Sequence, residues 1–329
     1  MSDTPEAPFA HLDPDRILEA VESLGFVCDG RVLALNSYEN RVYRVGREDD
    51  TPLVAKFYRP GRWTDSAILE EHAFSAELQA ADISVVAPMI INGQTLHYDD
   101  ELRFSLFPMQ GGHSPEPGDK ETLIHIGRAL GRLHSVGASK NFVHREQLSI
   151  ENKAEASIHY LLEAHWLPQE LEDNFIALSE QLVDEIEHAW QRAGMFETLR
   201  LHGDCHPGNL LWRDDTVHFV DLDDALTGPA IQDLWMLLYG SPETRSQQMA
   251  WLIEGYEVFR KFNRAELRLI EALRAMRIIH YHAWIARRWH DPAFPAASPW
   301  FESSRHWEGV ITQLQEQLSV MHEPVLVLR

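Results

Sequence analysis

The chain has 329 residues, 44% of them hydrophobic, and a formal net charge of −22. That length allows one large domain or two of ordinary size around a substantial core, and the charge opposes sequence-independent binding to nucleic acid or an anionic membrane, which both need a basic face. No stretch approaches the roughly twenty apolar residues of a membrane span, no signal-peptide pattern opens the chain, and Cys28 and Cys205 are too few for a disulfide framework; a soluble cytoplasmic protein is expected.

Residues 1 to about 12 read as a polar lead-in. Asp13-Pro14 then opens a helix that carries Ile17, Leu18, Val21 and Leu24 on one face and stops at Gly25. Three β-rich runs follow, 31–35, 40–45 and 52–58, as a meander with the turn Asn36 to Glu39 between the first two and Lys56 inside the third. The next helix is capped near Thr64 or Asp65 and carries Ile68, Glu71, Phe74 and Leu78. A strand lysine that meets a helix glutamate can hold nucleotide phosphates as a fixed charge. Glu71 has the apolar spacing for that partner, with Glu70 as the alternative.

Two more strands are expected at 85–96 and 102–107, with Asn92-Gly93 a turn signal. The runs Phe107 to Gly112 and Ser114 to Gly118 break the pattern. They set a boundary between an N-terminal region, 1–107, and a C-terminal region, 108–329, with a hinge at 106–111. Beyond it the pattern is mostly helical, with helices expected at 121–135, 175–192, 247–262, 265–289 and 307–321. The tryptophans and arginines of Ile279 to Trp289 read as a buried helix face, and His280 and His282, two apart, make a poor metal pair.

The chemistry concentrates between Leu199 and Asp224. Here His202-Gly203-Asp204 is followed by Asn209, a short hairpin around Asp214-Asp215, and Asp221. Pro207 and Gly208 force a sharp turn that brings Asn209 back toward Asp204. A carboxylate, an amide oxygen and a second carboxylate then converge, a grouping that suits phosphoryl transfer, where a hydroxyl must be oriented and Mg²⁺ held against phosphate oxygens. His202, Cys205 and His206 are zinc-ligand types without a convincing fourth member. Cys205 reads as a packed structural cysteine rather than a redox-sensitive thiol.

Together, the strand lysine, the helix glutamate, the linker, and a helical half that carries His-Gly-Asp, Asn209 and a strand-end Asp221 resemble the protein-kinase-like superfamily in its aminoglycoside and choline kinase branch. The runs LNSYENRVYRV, VAKFYRP, ILEEH, LRLHGDCHPGNLLWRD, FVDLDDA and GPAIQDLWMLL are more narrowly similar to the bacterial stress response kinase A family of serine/threonine protein kinases. The resemblance covers nearly the whole chain. It implies an α+β, two-lobed fold with a small N-terminal sheet lobe and a larger, mostly helical C-terminal lobe.

The resemblance also implies roles. Asp204 would orient the acceptor hydroxyl and take its proton, and Asn209 and Asp221 would be the magnesium ligands. Lys56 would meet the α- and β-phosphates of ATP with Glu71 as its ion-pair partner, and Ser37 would lie in the turn over the phosphates. Backbone groups of Leu106 to Met109 would read adenine, and Asp233 would brace the catalytic loop through backbone N–H groups. Three departures stand out: the turn Asn36 to Asn40 has no glycine, Gly203 replaces an arginine, and no Ala-Pro-Glu motif follows Asp221.

The expected function is ATP- and Mg²⁺-dependent phosphoryl transfer to Ser/Thr hydroxyls of a protein substrate. The alternatives are a small-molecule kinase and, more remotely, a non-catalytic nucleotide-binding scaffold. The acidic composition suits a cationic acceptor of either kind. No nucleic acid, membrane or obligatory second subunit is expected, so the chain reads as a monomer.

Overall fold

The computed structural model describes residues 7–49, 51–116 and 118–328; the first part of the expected lead-in and Pro117 lie outside them. Helix α1 (Pro14–Glu22) starts where the Asp13 carboxylate accepts the N–H of Arg16 at 2.9 Å and proline fills the first helical position. It buries Ile17, Ala20 and Val21 against an antiparallel sheet of β1 (Cys28–Ala34), β2 (Arg41–Arg47), β3 (Leu53–Phe57), β4 (His97–Asp99) and β5 (Leu102–Pro108), ordered β1-β2-β3-β5-β4. Side chains alternate across a strand. Leu53, Ala55 and Phe57 therefore meet α1 in one core, while Lys56 faces the other way.

Helix α2 (Asp65–Ala80) is capped by Thr64, whose hydroxyl accepts the N–H of Ala67 at 3.2 Å. Its inner face joins the lobes: Phe74 and Leu78 belong to the large C-terminal core. The stretch expected as a strand at 85–96 is instead a connector. Its backbone bonds go outward, Val86 N–H to Phe219 and Met89 N–H to Leu106, at 2.9 and 2.7 Å. Asn92 and Gly93, both at positive φ, close the tight turn between Ile91 and Gln94.

The helical half contains α3 (Lys120–Gly137), α4 (Ala156–Glu163), α5 (Gln169–Ala193), α6 (Pro242–Tyr256), α7 (Ile270–Arg287), the short α8 (Ala293–Ala297) and α9 (Ser304–Met321). Between α5 and α6 lie two antiparallel pairs, β6 (Thr198–Leu201) with β9 (Leu226–Pro229) and β7 (Leu210–Arg213) with β8 (Thr216–Phe219). Helix α6 starts five residues before the expected 247 because Ser241 caps it and Pro242 takes the first position. The helix expected at 265–289 is divided, with a 3₁₀ turn, Arg264–Leu269, leading into α7. Helices α3 and α6 touch backbone to backbone. A Cβ on Gly127 would stand 2.1 Å from the Leu252 oxygen, and one on Gly255 2.0 Å from the Ile124 oxygen, so both crossing points must be glycine. Among the described residues no helix is long and apolar enough to cross a membrane.

Candidate active site

Strand β6 delivers the chain into His202-Gly203-Asp204, and Asp233 fixes that loop from below. One Asp233 oxygen accepts the N–H of His202 at 2.8 Å, the other that of Gly203 at 2.9 Å, and buried His134 meets the same carboxylate at 3.0 Å. This is the brace that the resemblance implies. Gly203 has φ 88°, and a Cβ there would lie 2.0 Å from the Asp224 oxygen, which explains why no arginine occupies this position. Pro207–Asn209 form a 3₁₀ turn that carries Asn209 back to the loop, where its Nδ2 donates to the Asp204 carbonyl at 2.9 Å. Asn209 Oδ1 stays available as an oxygen donor. Asp214 and Asp215, at φ 50° and 56°, make the β7–β8 hairpin turn. The returning strand ties Val220 N–H to the Asn209 oxygen at 3.1 Å and leads into Asp221, itself in the left-handed conformation.

From the sheet, Lys56 reaches this point directly: its Nζ lies 2.7 Å from Asp221 Oδ1 and 3.2 Å from Asp223 Oδ1. Burial disfavours the charged lysine, but the two carboxylates outweigh it and hold its pKa well above the ordinary value. Glu71 is buried 15 residues along the chain from Lys56, accepts the Ser75 hydroxyl at 3.0 Å and makes no direct ion pair with the lysine. Burial pushes its carboxyl up while the Lys56 charge pulls it down, so the two interact through space. Glu70 points elsewhere and accepts the backbone N–H groups of Val143, His144 and Arg145 at 2.7, 2.7 and 2.9 Å.

Several charged groups escaped the sequence reading. Asp223 is 3% exposed and takes Lys56, Arg62 and the Asn40 amide, the last at 3.0 Å. Burial alone would raise its pKa, but Lys56 and Arg62 drive it well below the carboxylate range. Arg62 also pairs with Asp224. The available signal was Arg59-Pro-Gly-Arg62, a local basic exception in an acidic chain, just downstream of Lys56.

The turn over this cleft is held from the helical half. Glu39 accepts Trp284 Nε1 and pairs with Arg288, and buried Asp291 takes Arg41 at 2.8 Å and Arg59 at 2.7 Å. The face of α7 expected as plain core thus also supplies anchors for the turn. Ser37 lies within it, half-buried. None of residues 36–40 adopts positive φ, so the turn forms without glycine.

Asp204 is contacted by the Arg277 guanidinium, Nη1 at 2.6 Å, and by the His206 imidazole, Nε2 at 3.5 Å. Burial pushes its carboxyl up, yet the His206 hydrogen bond and the Arg277 charge prevail and keep it ionised far below the usual range. Zinc-type residues do not converge: His202 Nε2 meets the Val220 oxygen at 2.9 Å, His206 Nδ1 accepts Gly208 N–H at 3.0 Å, and Cys205 is fully buried, its thiol pushed up by burial. The donors that do face the cleft, Asn209 Oδ1 and the half-exposed Asp221 carboxylate, are hard oxygens that suit a divalent cation completed by water and phosphate oxygens.

Residues 31–270 match the phosphotransferase enzyme family, APH. Stress response kinase A of Escherichia coli O157:H7 is 43% identical over 320 residues, covering 97% of either chain. Serine/threonine protein kinase RdoA of Salmonella typhimurium is 42% identical over the same length and coverage. Among solved structures, amicoumacin kinase hAmiN in complex with AMP-PNP, Ca²⁺ and Ami superposes with TM-score 0.71 at 17% identity, over 92% of this chain and 95% of that one. A microcompartment-associated aminopropanol kinase gives 0.69 at 18% identity, over 96% and 100%. The two-lobed fold is thus that of the aminoglycoside and choline kinases, and the chain belongs to the phosphotransferase enzyme family as an ATP-dependent kinase.

Proposed function

We propose that this kinase transfers the γ-phosphoryl group of ATP to Ser/Thr hydroxyls of a protein substrate, with Mg²⁺, in a cleft between lobes 1–107 and 108–329 that hinge at 106–111. The observation that carries the assignment of residues is the 2.7 Å contact between Lys56 and Asp221, in which the sheet's buried cation and the loop's exposed carboxylate meet at one point. Asp204 orients the acceptor hydroxyl and takes its proton as the new O–P bond forms and the β–γ bridging bond breaks, releasing ADP. Lys56 holds phosphate oxygens, Glu71 supplies a buried countercharge at longer range, and Ser37 with its turn covers the phosphates. Asn209 Oδ1 and Asp221 would hold the cation, which when bound neutralises charge on the phosphate oxygens. The 42% identity to a protein named serine/threonine protein kinase RdoA favours a protein acceptor; a cytoplasmic, monomeric enzyme remains the reading from composition alone.

A second reading, a small-molecule kinase, is favoured by structural neighbours named for amicoumacin and aminopropanol. Labelled ATP offered to the purified chain with generic protein substrates, amino-alcohols and aminoglycosides separates the two. Transfer to protein Ser/Thr that Asp204→Asn abolishes supports the proposal; transfer to the small molecules alone overturns it.

A further inference from the structure

Beside Asp204 the surface opens into a groove of about 610 Å³ between α7 and α9. Residues Arg274, Arg277 and Tyr281 fall on one face of α7 by helical spacing and all three line it, as does His206. Among the described residues the one acidic side chain on its walls is Glu316 of α9. In a chain of net charge −22 the groove thus gathers two arginines, Arg274 beside Glu271 and Arg277 beside Asp204, and two histidines, His206 and His282.

The two arginines differ in what they have left to offer. Arg274 is committed, with Nε on Glu271 at 2.9 Å and its guanidinium over the Trp235 ring at 4.9 Å. Arg277 is half-exposed and places a single N–H bond, from Nη1 to Asp204 Oδ1 at 2.6 Å. A guanidinium carries five N–H donors in a planar fork, so most of the Arg277 fork faces the groove beside the carboxylate that would receive the acceptor proton. A carboxylate on the acceptor would match that fork bidentately. It would also share the guanidinium that now serves Asp204, which loosens the shorter of the two contacts that compete with the acceptor hydroxyl for Asp204.

We propose, resting on the protein-kinase reading above, that this groove is an acceptor subsite for acidic segments, in which Arg277 binds a Glu or Asp side chain adjacent to the Ser/Thr that is phosphorylated. Specificity thus comes from Arg277.

The test uses the full chain with ATP and Mg²⁺ and three peptides that differ only in the residues flanking one serine: Glu, Gln or Lys. The expected result is a kcat/KM for the Glu peptide about tenfold or more above the Gln peptide, as for one charge-assisted contact, with the Lys peptide poorest. Arg277→Gln should remove the Glu-over-Gln preference, and Arg277→Lys should restore part of it. Equal use of the three peptides, preference for the Lys peptide, or a preference unaltered in Arg277→Gln overturns the inference. So does transfer to none of them while ATP is still hydrolysed. Absence of any ATP turnover contradicts the kinase reading as well, and the hydrolysis control tells the two failures apart.

Discussion

Glu266 shows how one buried carboxyl makes stability depend on pH. It is 3% exposed beneath the 3₁₀ turn Ala230–Asp233 and accepts the N–H of Ile231 at 3.0 Å. Burial is the leading influence and pushes its pKa from 4.5 up to about 7, against the backbone hydrogen bonds that pull it down. The folded state therefore holds this proton more tightly than the unfolded chain. The resulting stability is fully present below 4.5 and is lost as pH rises through about 7. Glu266→Gln keeps an acceptor for Ile231 without a charge to bury, so it should be more stable than wild type at pH 8, by on the order of 3 kcal/mol at most. At pH 5 most of that advantage should vanish. Urea unfolding at both pH values checks it, and an advantage equal at both would contradict the assignment. His202 to Asp221 were legible at this scale because their spacing and turn residues are local. Arg62, Asp223 and Arg277 were not, because each acts on a partner far along the chain: Arg62 on Asp223, 161 residues away, and Arg277 on Asp204, 73 away.

Among the elements, the turn Asn36 to Asn40 depends on helices at the other end of the chain. Asp291, just before α8, accepts Arg41 and Arg59, and the Arg59 side chain is only 6% exposed. Asp291→Ala would take one of two carboxylates from that guanidinium, which keeps Glu39 at 3.1 Å, so the loss should fall below the about 3–5 kcal/mol of a buried charge left wholly unpaired. The variant should unfold at lower denaturant and show a raised KM for ATP, because the turn proposed to cover the phosphates loses its tether; an unchanged midpoint with unchanged KM would contradict this. The hairpin β7–β8 was readable from Asp214-Asp215 between apolar runs. The stretch 85–96 misled because several of its apolar residues are buried as a strand's would be, yet its backbone makes isolated bonds to Phe219 of β8 and Leu106 of β5 rather than a continuous ladder with either. Helix α6 was placed late because the cap signal Ser241-Pro242-Glu243 was passed over in favour of apolar periodicity.

At the scale of the molecule, the two halves meet through charge as well as through Phe74 and Leu78. Lys56, Arg62, Arg41 and Arg59 from the sheet side meet Asp221, Asp223, Asp224 and Asp291 from the helical side. These carboxylates are paired, and the groove beside Asp204 is lined by Arg274 and Arg277. The central claim is that the Lys56–Asp221 meeting point is where ATP is used. Its most direct test is phosphoryl transfer from labelled ATP by purified wild type and Asp221→Ala, with folding of both checked by their melting curves. The account predicts transfer by the wild type and a loss of at least about 10²-fold in the folded variant; near-normal transfer by Asp221→Ala would contradict it.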